Sequence, residues 1–339
     1  MSLRLEMLNA ARLAPKVLGE STGLVRRFFL DQQHPDGGFK NRANRSDLYY
    51  LQFGLAGLAA VSELDPTGEI KTRPREDFVD RVTRYLTAFG DGADLDFVHL
   101  CCLARSWAAL QGLVPNSVSL PALKPILGRL ELHRTPDAGY NPQRGSVSGT
   151  AYGAFLALGA YQDLAACIPR PGGLASSLAA LQTGDGAYTN SREPQTPTVS
   201  SFADHFSEPG PEPNGRSRFA GTTNATAAAV VVLDQLGAPV HDREREWLLA
   251  RLHPGGGFLA SPESPVPDLL STATALHTLA TLGIRKDTIS ERCLDFIDSL
   301  WTNVGGFYGH WGDQAVDCEY TFYGLLALGS LVGRPIDEE

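Results

Sequence analysis

A short turn of glycine followed by an aromatic residue recurs through the chain: Asp36-Gly37-Gly38-Phe39, Asp137-Ala138-Gly139-Tyr140, Asp185-Gly186-Ala187-Tyr188, Gly255-Gly256-Gly257-Phe258 and Val304-Gly305-Gly306-Phe307. The aromatics Phe39, Tyr140, Tyr188, Phe258 and Phe307 stand 101, 48, 70 and 49 residues apart. The first spacing is two periods, with Gly90-Asp91-Gly92-Ala93 as a degenerate member between them. The 70-residue spacing is one period plus an insertion in the fourth unit, residues 189–221, rich in Pro, Ser and Gly. Six units of roughly 48 residues therefore account for a 339-residue chain. A length that would otherwise imply two domains reads as one, spanning 1–339.

Each unit has the same layout. An amphipathic helix precedes the turn, such as Arg75 to Phe89 or Asp242 to Leu252, and a more apolar helix rich in Ala, Leu and Gly follows it. The second type includes Asp47 to Leu64, Asp94 to Gln111, Asp268 to Leu282 and Asp317 to Val332. A helix apolar all round is buried and one with a polar face lies outside. With no polar capping repeat at either end, the expected fold is all-α: a closed α/α toroid of six inner and six outer helices. Every inner helix follows its turn, so the six run parallel, and their N-termini meet at one mouth where an anion would be favoured. Their small residues imply a central apolar cavity wide enough for a long hydrocarbon.

Lys and Arg number 29 against 38 Asp and Glu, a net charge of −9, and no basic stripe offsets it, which argues against nucleic acid as a partner. The five cysteines (Cys101, Cys102, Cys167, Cys293, Cys318) lack C-x-x-C spacing and read as reduced thiols. Neither a signal peptide nor a membrane span is expected, since the longest apolar runs are too short to cross a bilayer. The expected location is the cytoplasm.

The inner helices open on Asp47-Leu48-Tyr49-Tyr50, Asp94-Leu95-Asp96-Phe97, Asp268-Leu269-Leu270-Ser271 and Asp317-Cys318-Glu319-Tyr320, with Ser146 to Thr150 and Gly221 to Asn224 in the third and fourth units. A leading Asp is read first as an N-cap. Departures from the repeat point to function. The loop Lys40-Asn41-Arg42-Ala43-Asn44-Arg45 puts three cations at a helix N-terminus, where the dipole repels them; either it is a solvated surface loop or its Arg forks meet phosphate oxygens. Tyr50, three residues after Asp47, could reach the same anion. Asp94 with Asp96, and Asp317 with Glu319, are carboxylate pairs two residues apart. Either one member caps while the other faces solvent, or one has a raised pKa and acts as a general acid. His99, Cys101, Cys102 and His277 are read as packed core, and no metal site is expected.

Gly-Gly-Phe, a loop, an Asp and an Ala/Leu/Gly-rich helix together resemble the repeat shared by protein prenyltransferase β subunits and the squalene and terpene cyclases. The likeness covers about Gly23 to Val332 and is clear in five of six units. Tyr320-Thr321-Phe322-Tyr323-Gly324-Leu325 resembles the inner helix that prenyltransferases place beside the lipid diphosphate, which implies substrate contacts for Tyr320 and Tyr323. Gly37 to Arg45 is similar to their diphosphate loop, with Arg42 and Arg45 on the cationic positions and Tyr50 on the following tyrosine. The family's zinc ligands are an Asp, a Cys two residues later and a His from the next repeat. Asp47 matches the Asp, but Tyr49 stands where the Cys would be, and with Asp94 leading the second unit no His falls three residues after a leading Asp. Zinc is therefore not expected; Mg²⁺ is the one ion left open. The prenyltransferase resemblance also implies a separate helical partner subunit. Cyclases that protonate an olefin use Asp-x-Asp-Asp followed by Thr. Asp94-Leu95-Asp96-Phe97 keeps the first two acids, and Asp317-Cys318-Glu319-Tyr320-Thr321 keeps the Thr with Glu in the middle.

Three functions compete. The leading one is a prenyltransferase-like enzyme that binds an isoprenyl diphosphate through Arg42, Arg45 and Tyr50, with Asp47 and Asp317 shaping the mouth. The second is a proton-initiated (class II) terpene cyclase using Asp96 or Glu319. The third is a non-catalytic toroid that binds a lipid or a protein.

Overall fold

The computed structural model describes residues 1–62, 76–115, 124–192, 220–284 and 288–332. Most of the 189–221 insertion, including His205, Arg216 and Arg218, lies outside them. The elements in chain order are α1 (Leu3–Ala11), α2 (Pro15–Leu18), α3 (Thr22–Asp31), β1 (Phe39–Lys40), β2 (Ser46–Asp47), α4 (Leu48–Ala60), α5 (Glu76–Thr87), α6 (Phe97–Leu113), α7 (Lys124–Leu130), α8 (Ala151–Asp163) and α9 (Pro171–Ala179). They continue with α10 (Thr223–Gln235), α11 (Asp242–Leu249), α12 (Leu269–Thr281), α13 (Ser290–Asp298), β3 (Tyr308–His310), β4 (Asp313–Val316) and α14 (Cys318–Val332). Inner helices α4, α6, α8, α10, α12 and α14 each pack on the next, and α14 packs back on α4 to close the ring. Helices α3, α5, α7, α9, α11 and α13 lie outside, each against an inner helix. The expected all-α toroid is the fold, with one difference: the first and last turns carry short antiparallel hairpins, β1–β2 and β3–β4.

The repeated turn is the joint between neighbouring units. Gly37 has φ +104°, and a Cβ there would stand 2.1 Å from the Arg81 carbonyl oxygen on α5, so the turn docks backbone to backbone on the next outer helix. Gly305 (φ +91°) does the same to Leu24 on α3, and this contact joins the last unit to the first. The turn aromatics are buried, and Phe39 and Phe307 lie over Gly54 of α4 and Gly324 of α14, where a Cβ would come within 2.2 and 2.6 Å of the rings. Glycine in these inner helices thus makes room for the aromatic of the same unit, at a cost of about 1 kcal/mol in helix propensity offset by ring burial.

The first helix was not part of the repeat and lies across the far end of the ring. In α1, the Leu3 amide donates to Gln162 Oε1, and Arg4 pairs with Asp163 at the C-terminus of α8. Gln235 at the end of α10 bonds Glu6. Ala10 sits so close to α14 that a Cβ at Gly329 would be 1.8 Å from its carbonyl oxygen. The ring interior is consequently narrower than the small residues of the inner helices imply. The described residues wall a cavity of about 40 Å³ among aromatic rings and one of about 180 Å³ beneath α1.

Candidate active site at the mouth of the ring

The inner helices begin together at the mouth opposite α1. Their N-caps are Asp47, Asp96, Thr150, Thr222 and Asp268, each accepting from a first-turn amide, and Asp317 Oδ1 accepts from the Tyr320 amide at 2.9 Å. In the second unit the cap is Asp96; Asp94, expected to lead that helix, is exposed and lies outside it. Four of the six caps are carboxylates. The helix N-termini that were expected to welcome an anion are therefore already satisfied by negative groups.

Moving the cap to Asp96 places His99 three residues after it, a relation missed when Asp94 was taken as the leading residue. His99 Nδ1 lies 2.9 Å from Asp96 Oδ1, and Nε2 lies 3.5 Å from Asp47 Oδ1. These hydrogen bonds to Asp47 and Asp96 raise its pKa to about 10, so it carries charge and clamps the caps of α4 and α6 together. Both ring nitrogens face carboxylates, Tyr49 supplies a phenol where a thiolate ligand would stand, and no His, Cys, Asp and Glu group among the described residues is arranged for a metal ion. This donor set does not fit the zinc of the prenyltransferases.

The three cations of the first loop have separate duties. Lys40 Nζ donates to the Asp31 carbonyl at the end of α3, at 2.8 Å, as a basic residue does at a helix C-terminus. Arg42 bridges two units: Nε donates to Asp317 Oδ2 and Nη2 to Asp313 Oδ2, both at 2.9 Å, and its guanidinium carbon lies 5.3 Å from the centre of the Tyr320 ring. Arg45 is exposed. Tyr50 is buried, with its ring edge-on to Tyr49.

Glu319 is only 2% exposed and lies one helical step inside Asp317. Its Oε1 accepts from the Tyr49 hydroxyl of α4 at 2.5 Å. Burial first, and the Asp317 charge second, push its pKa well above the carboxylate range. Burial raises Asp317 too, but Arg42 bonds Asp317 directly and so favours its charged form over that of Glu319. Tyr49 in turn packs on Phe53 (5.2 Å between ring centres), and Phe53 on Tyr323 (5.5 Å) and Phe322 (5.8 Å). These rings, with Tyr152, wall the central cavity. Chemically the site is a buried carboxyl whose charged form is disfavoured, bonded to the Tyr49 phenol, which itself lines the aromatic chamber.

The prenyltransferase alpha-alpha toroid domain model matches residues 16–127 and 224–334. Among solved structures the chain resembles the type II terpene cyclase MstE from Scytonema, a variant of which was solved with its product merosterolic acid A (TM-score 0.56, 12% identity, 94% of this chain and 97% of that one). Another variant of the same enzyme holds geranylgeranyl dihydroxybenzoate as substrate (TM-score 0.54, 13% identity, 94% and 97%). A protein geranylgeranyltransferase-I from Candida albicans, complexed with GGPP, is also similar (TM-score 0.51, 13% identity, 94% and 85%). A search of curated proteins returned no match. No helix among the described residues is long and apolar enough to cross a membrane.

Proposed function

The chain belongs to the prenyltransferase alpha-alpha toroid domain family, and we propose that it is a proton-initiated terpene cyclase in which Glu319 is the acid. The observation that carries this reading is the buried Glu319 carboxyl, with the Tyr49 hydroxyl on one oxygen and surroundings that disfavour its charged form. An olefin is a weak base, and protonating it needs an acid kept neutral at working pH and shielded from water. The proton passes from Glu319 to one alkene carbon, the π electrons form the new C–H bond, and a carbocation is left on the neighbouring carbon. Internal double bonds then attack that carbon to close rings, the final cation loses a proton to water, and water returns a proton to the Glu319 carboxylate, which restores the acid. The Tyr49 hydroxyl stabilises the glutamate anion left behind, and the faces of Phe53, Tyr152, Phe322 and Tyr323 stabilise the cation. Asp317 is the positioning residue: its charge raises the Glu319 pKa, and Arg42 keeps that charge in place.

The diphosphate-binding alternative is less well supported. Arg42 is engaged by two carboxylates, and Asp47, Asp96, Asp268, Asp313 and Asp317 surround the same mouth. A bound diphosphate would meet these charges with Arg42 already paired. The test is incubation of the purified protein with a panel of linear polyprenes and polyprenyl diphosphates, with products separated by gas chromatography and mass spectrometry. Cyclic product from the native chain and at least a hundredfold less from Glu319→Gln supports the proposal; equal yield from Glu319→Gln would overturn it.

A further inference from the structure

The second cavity, at the far end of the ring, is unusually basic for an interior. Arg4 of α1, Arg12 just past its end and Arg105 of α6 line its roughly 180 Å³, many times the ~10–15 Å³ that one water needs. Among the described residues one carboxylate stands against these three guanidinium groups, Asp163, whose side chain is fully buried and takes Arg4 Nε at 2.7 Å and Arg105 Nε at 3.4 Å. No described carboxylate pairs with Arg12. Its Nε is buried without a hydrogen-bond partner, and its nearest polar contact is Asn9 Oδ1 at 3.5 Å, the outer limit of a hydrogen bond. Burial and the neighbouring Arg4 charge both disfavour its protonated form. A buried donor left unpaired costs stability, and an unbalanced cation costs more. Arg12 itself is half-buried: its Nη1 reaches the exposed side beside Asn9, while its Nε points inward without a partner.

Apart from the Gln52 amide the remaining walls are apolar, made chiefly by Leu5, Leu8, Ala56, Ala59 and Ala109. The cavity shares Arg4, Gln52, Ala56 and Arg105 with the aromatic chamber. On α4 the positions Tyr49, Gln52, Ala56 and Ala59 form one stripe, about 15 Å long at 1.5 Å per residue, from the partner of Glu319 to the basic end. We propose that the cavity beneath α1 binds the anionic end, phosphate or carboxylate, of an amphiphilic isoprenoid, with Arg12 as the group that the ligand completes. Planar guanidinium forks suit either anion. The site stands on the cavity and its arginines; only the direction in which the chain lies, with its far double bond toward Glu319, rests on the reading of Glu319 as the acid.

Titration calorimetry tests it with inorganic diphosphate, geranylgeranyl diphosphate and a polyprenyl carboxylate as separate ligands. Binding is measured on the Glu319→Gln chain, which turns nothing over, so failure of the cyclase reading leaves the result intact. At least one ligand binds saturably, more weakly as salt rises, and Arg12→Gln weakens it tenfold or more with an unchanged circular dichroism spectrum, while Arg12→Lys recovers part of the affinity. Binding of inorganic diphosphate at the affinity of the lipid marks a free-anion site, and binding of the tailed ligands alone marks a headgroup site. Binding of none of the three overturns the proposal, as does binding that Arg12→Gln leaves unchanged.

Discussion

At the scale of single residues, Glu319 sets a conflict between activity and stability. Its carboxyl is raised above the ordinary value of 4.5 by burial, so in the folded chain it stays protonated where the unfolded chain has lost the proton. Above about pH 4.5 the folded state binds more protons, and stability falls as pH rises until the folded pKa is passed. Glutamine in its place is neutral, nearly isosteric and still accepts from Tyr49. Glu319→Gln is therefore expected to melt higher than the native chain, by a margin that grows between pH 5 and pH 8, while its cyclisation is lost. Thermal denaturation across that range checks this; a margin that stays flat with pH would mean that Glu319 is ionised. Glu319 was legible in the sequence as a member of one of two carboxylate pairs. What sets its pair apart was not, because that is the contact with Tyr49, 270 positions away in the chain and beside it in the ring.

Between elements, the first loop acts as a strap. Arg42 joins the β1–β2 loop to the β3–β4 hairpin through Asp313 and to the cap of α14 through Asp317, and so fastens the first unit to the last. Its side chain is 39% exposed, so Arg42→Ala should cost about 1–3 kcal/mol, below the roughly 3–5 kcal/mol of a fully buried broken pair. Chemical denaturation measures that loss. If the loop instead existed to hold diphosphate, Arg42→Ala would abolish geranylgeranyl diphosphate binding, whereas here affinity is expected to stay within about threefold, because the anion site lies under α1. Three cations in six residues were conspicuous in the sequence, yet their duties were hidden: Lys40 finishes α3, and the partners of Arg42 come from the other end of the chain. The shift of the second cap from Asp94 to Asp96 was equally hidden, since the degenerate turn Gly90 to Ala93 gave no fixed register. His99 at three residues past the cap is the signal that would have corrected it.

For the whole molecule, the repeat carried nearly all the fold. Periodic glycine-aromatic turns, polar-faced outer helices and apolar inner ones are local patterns that determine the ring, and the turn glycines Gly37, Gly186, Gly256 and Gly305, each against the next outer helix, propagate it. The narrow interior was not legible, because the residues that fill it include α1, which lies outside the repeat and reaches the barrel through tertiary contacts with α4, α8, α10 and α14. Its placement also divides the work of the ring. Carboxylates and a protonated acid gather at the mouth, arginines gather at the opposite end, and aromatic rings stand between. That polarity is what a proton-initiated cyclase with an anchored substrate requires.

The central claim, that a side chain of this protein protonates a double bond, is tested most directly by isotope counting. Chelator-treated native protein, equilibrated in D₂O and given a linear polyprene that it cyclises, should place one deuterium in each cyclic product at the carbon that the acid attacks, because protonation by Glu319 draws on no metal. Glu319→Gln under the same conditions should give neither ring nor label. Cyclic product free of deuterium, or product that appears only when a divalent metal is restored, would contradict the account.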